Sequence, residues 1–287
     1  MSCASRQIIL TCIRHGETLY NRQKIIQGQL DVPLSEKGQE EARALGRFIK
    51  ENALRCESSA NSLHRLLSIP EVFITSPLSR AKETAVLVRS GAGWESVNLG
   101  ESDHVREVSF GESEGCSYHA VVGKLVNDGT ARELLGISSV EEFHRDSVAN
   151  WGKLAIFWGE HPGHIAQLLE EEPSRLQPPS RPTMETPSQM QGRARAFIDH
   201  LGGLLSDRDL FDPSLPPCQV VLVSHGFFLR VLLSCILSGP NCSTTLPFDL
   251  WNTSLSTVRF NLTRDNEGAF RSQDPHLLQL NTTPHLL

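Results

Sequence analysis

Short, continuous runs of apolar residues recur along the chain, and each of them ends in polar residues. Three of these runs, Ile8–Ile13, Val72–Ser76 and Gln219–Ser224, have the length and β-branched content of buried strands. The run that ends at Ser224 shows no polar alternation, which is typical of a strand covered on both faces. A fourth run, Ser256–Leu262, predicts a last strand.

Longer stretches between these runs carry apolar residues at helical spacing. Ser35 is a favourable N-cap, and Ala42, Leu45 and Ile49 then fall on one face of a helix. The predicted helices cover residues 36–50, 77–89, 189–205 and 227–237. Because strands alternate with helices, the sequence predicts an α/β fold, a three-layer sandwich with a largely parallel central sheet flanked by helices.

Residues 116–190 interrupt this alternation with an irregular helical pattern. The apolar surface of the segment comes from Trp151, Leu154, Ile156, Phe157 and Trp158. Its prolines concentrate between residues 173 and 187, which predicts an exposed, flexible loop. We therefore expect a single α/β domain over residues 1–265, with 116–190 as a helical lid insertion that contains the Pro-rich loop. The polar residues 266–287 predict a flexible tail.

Charge and cysteine content restrict the partners and the compartment. The 287-residue chain has a net charge of −6, which argues against nucleic acid or an anionic membrane as a general partner. Its seven cysteines are widely spaced and include no Cys-x-x-Cys pair, which indicates reduced thiols in a cytoplasmic protein. No apolar run approaches the ~20 residues of a membrane span. The sequence identifies no protein partner.

Cationic and nucleophilic side chains follow the predicted strands. Arg14 and His15 follow directly on the first strand, and His225 follows directly on the strand that ends at Ser224. Each histidine precedes a glycine, which lets a ligand approach the backbone closely. Arg80 lies in the opening turn of the helix after the second strand. Because the carboxyl ends of parallel strands meet at one edge of a sheet, these four side chains predict a pocket for a dianion such as a phosphate ester.

This combination of residues suits phosphoryl transfer. A neutral imidazole can attack phosphorus in line while fixed cations stabilise the equatorial oxygens. A carboxyl group must protonate the leaving oxygen and later activate water. Glu107 is one candidate for this group, and spacing alone does not separate it from Asp103, Glu112 and Glu114.

Paired histidines near a carboxylate are also typical of a metal site. Arg14 argues against this interpretation, because a cation beside a ligand histidine repels a metal ion. Cys12, in the first strand, is better interpreted as a core residue than as a catalytic one. The sequence therefore predicts no metal and no other cofactor, and the arginines supply the positive charge.

Taken in order, these motifs resemble the histidine phosphatase superfamily, which has the phosphoglycerate-mutase-like fold. The motifs span residues 8–230 and are Arg14-His15-Gly16-Glu17-Thr18 with Asn21, Gln27-Gly28, Pro33-Leu34-Ser35-Glu36-Lys37-Gly38, Ser76-Pro77-Leu78-Ser79-Arg80-Ala81-Lys82-Glu83-Thr84, Arg106-Glu107 with Phe110-Gly111 and Glu114-Gly115, and Ser224-His225-Gly226. The resemblance implies that His15 is the phosphorylated nucleophile. It also implies that Arg14, Arg80 and His225 bind the phosphoryl group.

Further roles come from the same resemblance. Asn21, Gln27 and Gly28 would line the phosphate pocket together with Gly226, and Glu107 would be the proton donor and acceptor. Within the superfamily, residues 24–29 and the long insertion are most similar to the TIGAR-type fructose-2,6-bisphosphatases.

The predicted lid has an unexpected charge balance for a segment that grips a second phosphate. Between residues 116 and 190 there are six Lys/Arg and ten Asp/Glu. If the substrate has a second phosphate, Arg193, Arg195 or Arg106 would compensate for this acidity.

The first functional hypothesis is a cytoplasmic phosphatase that acts on a small phosphorylated metabolite, a sugar or glycerate bisphosphate, with fructose-2,6-bisphosphate as the first candidate. The alternative on the same fold is a mutase that returns the phosphoryl group to its substrate. A mutase needs a site closed to water, and the Pro-rich loop favours an open one. A non-catalytic scaffold is the third hypothesis, which the complete set of five site residues disfavours.

Overall fold

The structure is a computed structural model that describes residues 5–55, 68–136, 138–145, 153, 157, 160–170, 172–180, 184–205, 212, 215–239 and 248–286. Within these residues, the strands are β1 (Ser5–Arg14), β2 (Val72–Thr75), β3 (Leu99–Glu101), β4 (Cys218–Ser224), β5 (Leu255–Arg264) and β6 (Phe270–Thr282). The helices are α1 (Leu19–Gln23), α2 (Glu36–Arg55), α3 (Ser79–Ala92), α4 (Tyr118–Asn127), α5 (Gly129–Leu135), α6 (Val140–Arg145), α7 (Pro162–Leu169), α8 (Pro187–Leu204) and α9 (Gly226–Ser238). Short 3₁₀ turns cover Asp103–Val105, Gly111–Ser113 and Pro284–Leu286.

The described strands form one mixed sheet in the order β3-β2-β4-β1-β5-β6. The first four strands in this order are parallel, whereas β5 and β6 pair antiparallel. β4 lies between β1 and β2, so the carboxyl ends of these three strands are neighbours. The predicted α/β fold with a largely parallel central sheet is confirmed.

Alternate residues of β4 pack into two different cores, which explains its continuous apolar run. Val220 and Leu222 belong to the larger core, on the side of α8 and α9. Val221 and Val223 belong to the second core, with α2 and α3. The sheet is therefore covered on both faces, as the sequence predicted. Among the described helices, none combines the length and apolar character that crossing a bilayer requires.

The segment 116–190 contributes helices α4 to α7 to the larger core. Val121, Leu125, Phe143 and Phe157 are at most 3% exposed and cluster with residues of the sheet. Trp151, Leu154, Ile156 and Trp158, which were expected to supply apolar surface, lie outside the described residues.

The described part of the Pro-rich loop is hydrogen-bonded to the segment before α4. Leu176 N donates to Gly115 O at 2.9 Å, and Glu185 N donates to Ser109 O at 2.9 Å. These bonds tie the loop to the residues that follow Glu107.

The chain after residue 265 differs from the expected flexible tail. Residues 270–282 form β6 along β5, and Phe270 is only 6% exposed. The last turn returns to α2, where the His285 and Phe48 rings lie 6.4 Å apart. β6 is an edge strand with many exposed positions, so its polar composition does not distinguish it from a loop.

Candidate active site

The site lies at the edge of the sheet where β1, β4 and β2 end. His15 N donates to Ser224 O at 2.9 Å, and Ser76 N donates to Val223 O at 3.0 Å. These bonds continue the parallel ladders by one residue and hold the three strand ends together. A cavity of about 300 Å³ opens there, and its walls include Arg14, His15, Arg80 and Glu107.

His15 is held in the form that a nucleophile requires. Its Nδ1 donates to Gly16 O at 2.7 Å, because a carbonyl oxygen can only accept, and the lone pair of the neutral ring then resides on Nε2. The ring is 2% exposed. Burial lowers the pKa of His15 well below its usual value, and Arg80 and Arg14 lower it further. The imidazole is therefore neutral at pH 7.

Arg14 and Arg80 bring two guanidinium groups to the cavity. Arg80 is 1% exposed and donates to Leu30 O and Gly28 O, each at 2.7 Å. Arg14 donates to Leu250 O. Burial lowers the pKa of Arg80 to about 10, so the group remains a cation at neutral pH. Fixed, desolvated cations of this kind are strong binders of a phosphoryl group.

His225 lies next to His15, and their ring centroids are 5.2 Å apart. Its Nε2 is 2.8 Å from Ser76 Oγ, and its buried Nδ1 has no hydrogen-bond partner in the described part of the chain. Burial lowers the pKa of His225 well below its usual value, with Arg80 adding to the effect. The ring is fully buried beside His15.

Glu107 lines the cavity at the start of α9. Its carboxylate accepts from Phe228 N at 2.9 Å, from Phe227 N at 3.2 Å and from its neighbour Val108 N at 2.9 Å. These donors fix both oxygens, and the N-terminus of a helix favours negative charge. The carboxylate therefore has a defined position beside the predicted phosphate pocket.

The other three candidate acids have different surroundings. Glu114 is fully buried and accepts from Gln29 N and Phe110 N, each at 3.0 Å. Asp103 pairs with Arg106 at 2.6 Å, and Glu112 pairs with Arg175 at 2.9 Å. Of the four acids, only Glu107 lines the cavity.

Asn21, Gln27 and Gly28 also line the cavity. Thr18 N donates to Asn21 Oδ1 at 3.1 Å, and Thr18 Oγ1 donates to Gln27 Oε1 at 2.9 Å. Because each side-chain oxygen is used, the amide nitrogens remain as donors. Gly28 has φ +52°, and a Cβ there would lie 2.0 Å from Glu114 Oε1. Glycine is thus required for the turn that presents its carbonyl to Arg80.

The cations expected for a second phosphate do not line the cavity. Arg193 binds the Glu185 carboxylate and donates to the backbone oxygens of Arg106 and Glu107 at 2.9 and 3.3 Å. It therefore positions the Glu107 segment. Arg106 is paired with Asp103, and Arg195 is exposed and also lies outside the cavity wall.

The sequence assigned no role in the site to the other cavity residues, which are Tyr20, Lys24, Ile25, Ile26, Phe110, Tyr118, Phe227, Arg230, Asp249 and Leu250. For one of them, Arg230, the sequence contains a pattern that could have identified it. Arg230 interrupts an apolar helix four residues after Gly226, so it shares a helix face with a predicted site residue. The segment 248–252 carries no comparable signal, although Asn252 Nδ2 donates to His15 O at 2.9 Å.

A neutral strand-end histidine, one buried and one half-buried arginine, and a carboxylate held at a helix start define a phosphatase-class hydrolase on an α/β sandwich. The chain belongs to the histidine phosphatase superfamily. A family model described as "Histidine phosphatase superfamily (branch 1)" matches residues 10–134 and 150–268.

Curated relatives agree with this assignment. The chain is 27% identical over 253 residues to the fructose-2,6-bisphosphatase TIGAR of Bos taurus, which covers 87% of this chain and 83% of that protein. It is 39% identical over 108 residues to TIGAR of Xenopus laevis, a match that spans 37% of this chain and only 34% of that protein.

A solved structure shows the same fold. The phosphoglycerate mutase of Bacillus anthracis superimposes with a TM-score of 0.63 over 99% of this chain and 96% of that chain. The two sequences are 20% identical, so this likeness concerns the fold alone.

Proposed function

We propose that this protein is a metal-independent phosphatase that hydrolyses a small phosphorylated metabolite through a phosphohistidine on His15. The observation that carries the proposal is the state of His15, a buried neutral imidazole whose Nδ1 proton is engaged by Gly16 O. This tautomer directs the nucleophilic lone pair to Nε2, beside two guanidinium groups.

The reaction follows from the positions of these groups. The Nε2 lone pair of His15 attacks phosphorus, and the bond to the leaving oxygen breaks in line with it. Arg14, Arg80 and His225 stabilise the phosphoryl oxygens. Glu107, which takes up a proton in the complex with the dianionic phosphate, gives that proton to the leaving oxygen. Glu107, now a carboxylate, takes a proton from water, which attacks the phosphohistidine and releases phosphate and neutral His15.

Fructose-2,6-bisphosphate is the first candidate substrate. The similarity of residues 24–29 to the TIGAR type and the names of the curated relatives support this choice. A cavity of about 300 Å³ has the size for a sugar or glycerate phosphate. Exposed Lys24 and Asp249 at the cavity rim leave a route for the water that a phosphatase needs.

A mutase that returns the phosphoryl group to its substrate is the second candidate. The fold shared with a phosphoglycerate mutase is the observation that keeps this candidate open. A mutase must exclude water from its site so that the phosphoryl group is returned to the substrate. The exposed residues Lys24 and Asp249 at the cavity rim argue against such a closed site.

The first test is a panel of phosphate esters with EDTA present, including fructose-2,6-bisphosphate and 2,3-bisphosphoglycerate. Phosphate release by wild type, abolished in His15→Ala and slowed at least about 100-fold in Glu107→Gln, is the expected result. His276→Ala, which changes an exposed histidine of β6, is the matched control and should retain wild-type rates. Full activity of His15→Ala would reject the mechanism, and isomerised phosphoglycerate without phosphate release would select the mutase.

A further inference from the structure

Asn252 reaches the backbone of His15 from the segment between α9 and β5. Its Nδ2 donates to His15 O at 2.9 Å and to Asn21 Oδ1 at 3.4 Å. A backbone oxygen can only accept, so the amide nitrogen of Asn252 rather than its amide oxygen must face His15. Asn252 lines a second cavity of about 650 Å³, which shares Arg14 with the catalytic cavity. It therefore contacts the nucleophile from outside the cavity that would hold the reacting phosphate.

The peptide group between His15 and Gly16 is held at both of its polar ends. Its oxygen accepts from Asn252 Nδ2, and its N–H donates to the Oγ1 of the fully buried Thr84 at 3.0 Å. A planar peptide group that is bonded at both ends has one orientation. The Gly16 oxygen that accepts the Nδ1 proton of His15 follows directly on this peptide group. The direction of the imidazole ring therefore depends on the contact with Asn252.

The turn that carries Asn252 is itself bonded to the end of β1. Thr253 N donates to Arg14 O at 3.0 Å, and Arg14 N donates to Ser254 O at 3.3 Å. Thr253 has φ +55°, a left-handed conformation that is strained for a β-branched residue. Such strain persists only where the surrounding contacts determine the conformation, and it is common at functional sites. The backbone of this turn thus directs the Asn252 amide towards His15.

We propose that Asn252 is a positioning residue of the reaction, whose amide fixes the peptide group after His15 and thereby keeps the imidazole ring oriented for in-line attack. The inference rests on the proposed function, in which His15 is the nucleophile. The second amide hydrogen engages Asn21 Oδ1, so the amide nitrogen of Asn21 stays directed to the phosphate pocket. A displacement of about 1 Å can lower the rate of an enzyme about 100-fold, so one lost hydrogen bond at this point has a large effect.

Asn252→Leu tests the inference, because leucine has a similar shape and no hydrogen-bond donor. With the fastest ester of the panel, we expect kcat to fall at least about tenfold. The inhibition constant of inorganic phosphate should stay within about threefold of wild type, since the contacts that hold the guanidinium groups of Arg14 and Arg80 do not involve Asn252. Asn98→Leu changes an exposed asparagine in the same way and should retain the wild-type kcat.

A second measurement follows the His15 ring in the resting protein, without turnover. In protein labelled with ¹⁵N on histidine, NMR detects the Nδ1 proton and its exchange with solvent, and the His15 signal is the one missing from His15→Ala. Because Gly16 O holds this proton, we expect its exchange to be at least about tenfold faster in Asn252→Leu than in wild type. Asn98→Leu should exchange at the wild-type rate.

The two measurements separate this inference from the proposed function. If wild type hydrolyses no ester but exchange is faster in Asn252→Leu, the proposed function fails and the positioning of the ring stands. If wild type hydrolyses esters and Asn252→Leu keeps either the wild-type kcat or the wild-type exchange rate, the inference alone fails. If Asn252→Leu does not fold, Asn252→Asp takes its place, since aspartate has the size of asparagine and presents an acceptor to His15 O. The same loss of kcat and the same faster exchange are then expected.

Discussion

Surroundings rather than residue type assign the roles of individual side chains in this site. Glu107 and Glu114 are both glutamates of one short segment, yet only Glu107 lines the cavity while Glu114 is fully buried. His15 and His225 both follow a strand, but the partners of their ring nitrogens differ. From the sequence, both histidines were predicted to lie at strand ends, and both glutamates were candidates for the proton donor. Spacing alone could not separate the acids, because the difference arises from hydrogen bonds to distant residues such as Gln29 and Phe228.

Gly226 is a residue whose role depends on the absence of a side chain. A Cβ at this position would lie 3.2 Å from Arg14 Nε, so alanine must displace a guanidinium that is anchored to Leu250 O. We expect Gly226→Ala to lower kcat/KM about tenfold with little change in Tm, because catalysis is sensitive to small displacements of a positioning group. Steady-state kinetics and thermal unfolding measure both effects.

Gly203→Ala is the matched control for this substitution. A Cβ at Gly203 would meet no heavy atom within 4 Å, so the same chemical change in α8 should leave kinetics unchanged. Wild-type kinetics in Gly226→Ala would show that Arg14 accommodates the added methyl group and would contradict the predicted requirement for glycine at position 226.

The sequence pattern predicted helix α9 but did not predict strand β6. Helix α9 was predicted from its apolar run, but the run concealed Arg230 and the N-terminus that holds Glu107. β6 was missed, because an edge strand buries few side chains and its sequence resembles a polar tail. Its anchor is Phe270, which lies against Gly202 of α8 and whose backbone N–H donates to Asp199 Oδ1 at 2.6 Å.

The role of β6 in stability can be measured at this anchor. Phe270→Ala should lower the free energy of unfolding by about 3–5 kcal/mol, the usual effect of removing a buried aromatic ring. The kcat should stay within about twofold of wild type, because no described residue of β6 lines the cavity. Denaturant unfolding of the purified variant measures the first effect.

Leu277→Ala provides the comparison within the same strand. This side chain is 43% exposed, so its loss should change stability by less than about 1 kcal/mol. Equal stability of Phe270→Ala and wild type would mean that β6 does not contribute to the fold as its pairing with β5 indicates.

The whole molecule brings together residues that are far apart in the chain. Arg14, Arg80 and His225 converge because β1, β2 and β4 are adjacent parallel strands, and the alternation of strands and helices was sufficient to predict this. The family assignment was predicted from the order of the same motifs and is confirmed. The part of the cavity wall formed by Asp249 and Leu250 was not predictable, because a loop such as 248–252 has no period that reveals which side chains face inward.

The most direct test of the central claim is to trap the phosphorylated enzyme. Wild-type protein is mixed with fructose-2,6-bisphosphate, quenched at alkaline pH within milliseconds to seconds, and digested for mass spectrometry. We expect a phosphate on the peptide that contains His15, formed and lost at rates consistent with turnover, and no such phosphate in His15→Ala. If this ester proves inert, the fastest substrate of the panel is used. Turnover with phosphate on another residue, or with no phosphorylated peptide at any time, would contradict a phosphohistidine on His15.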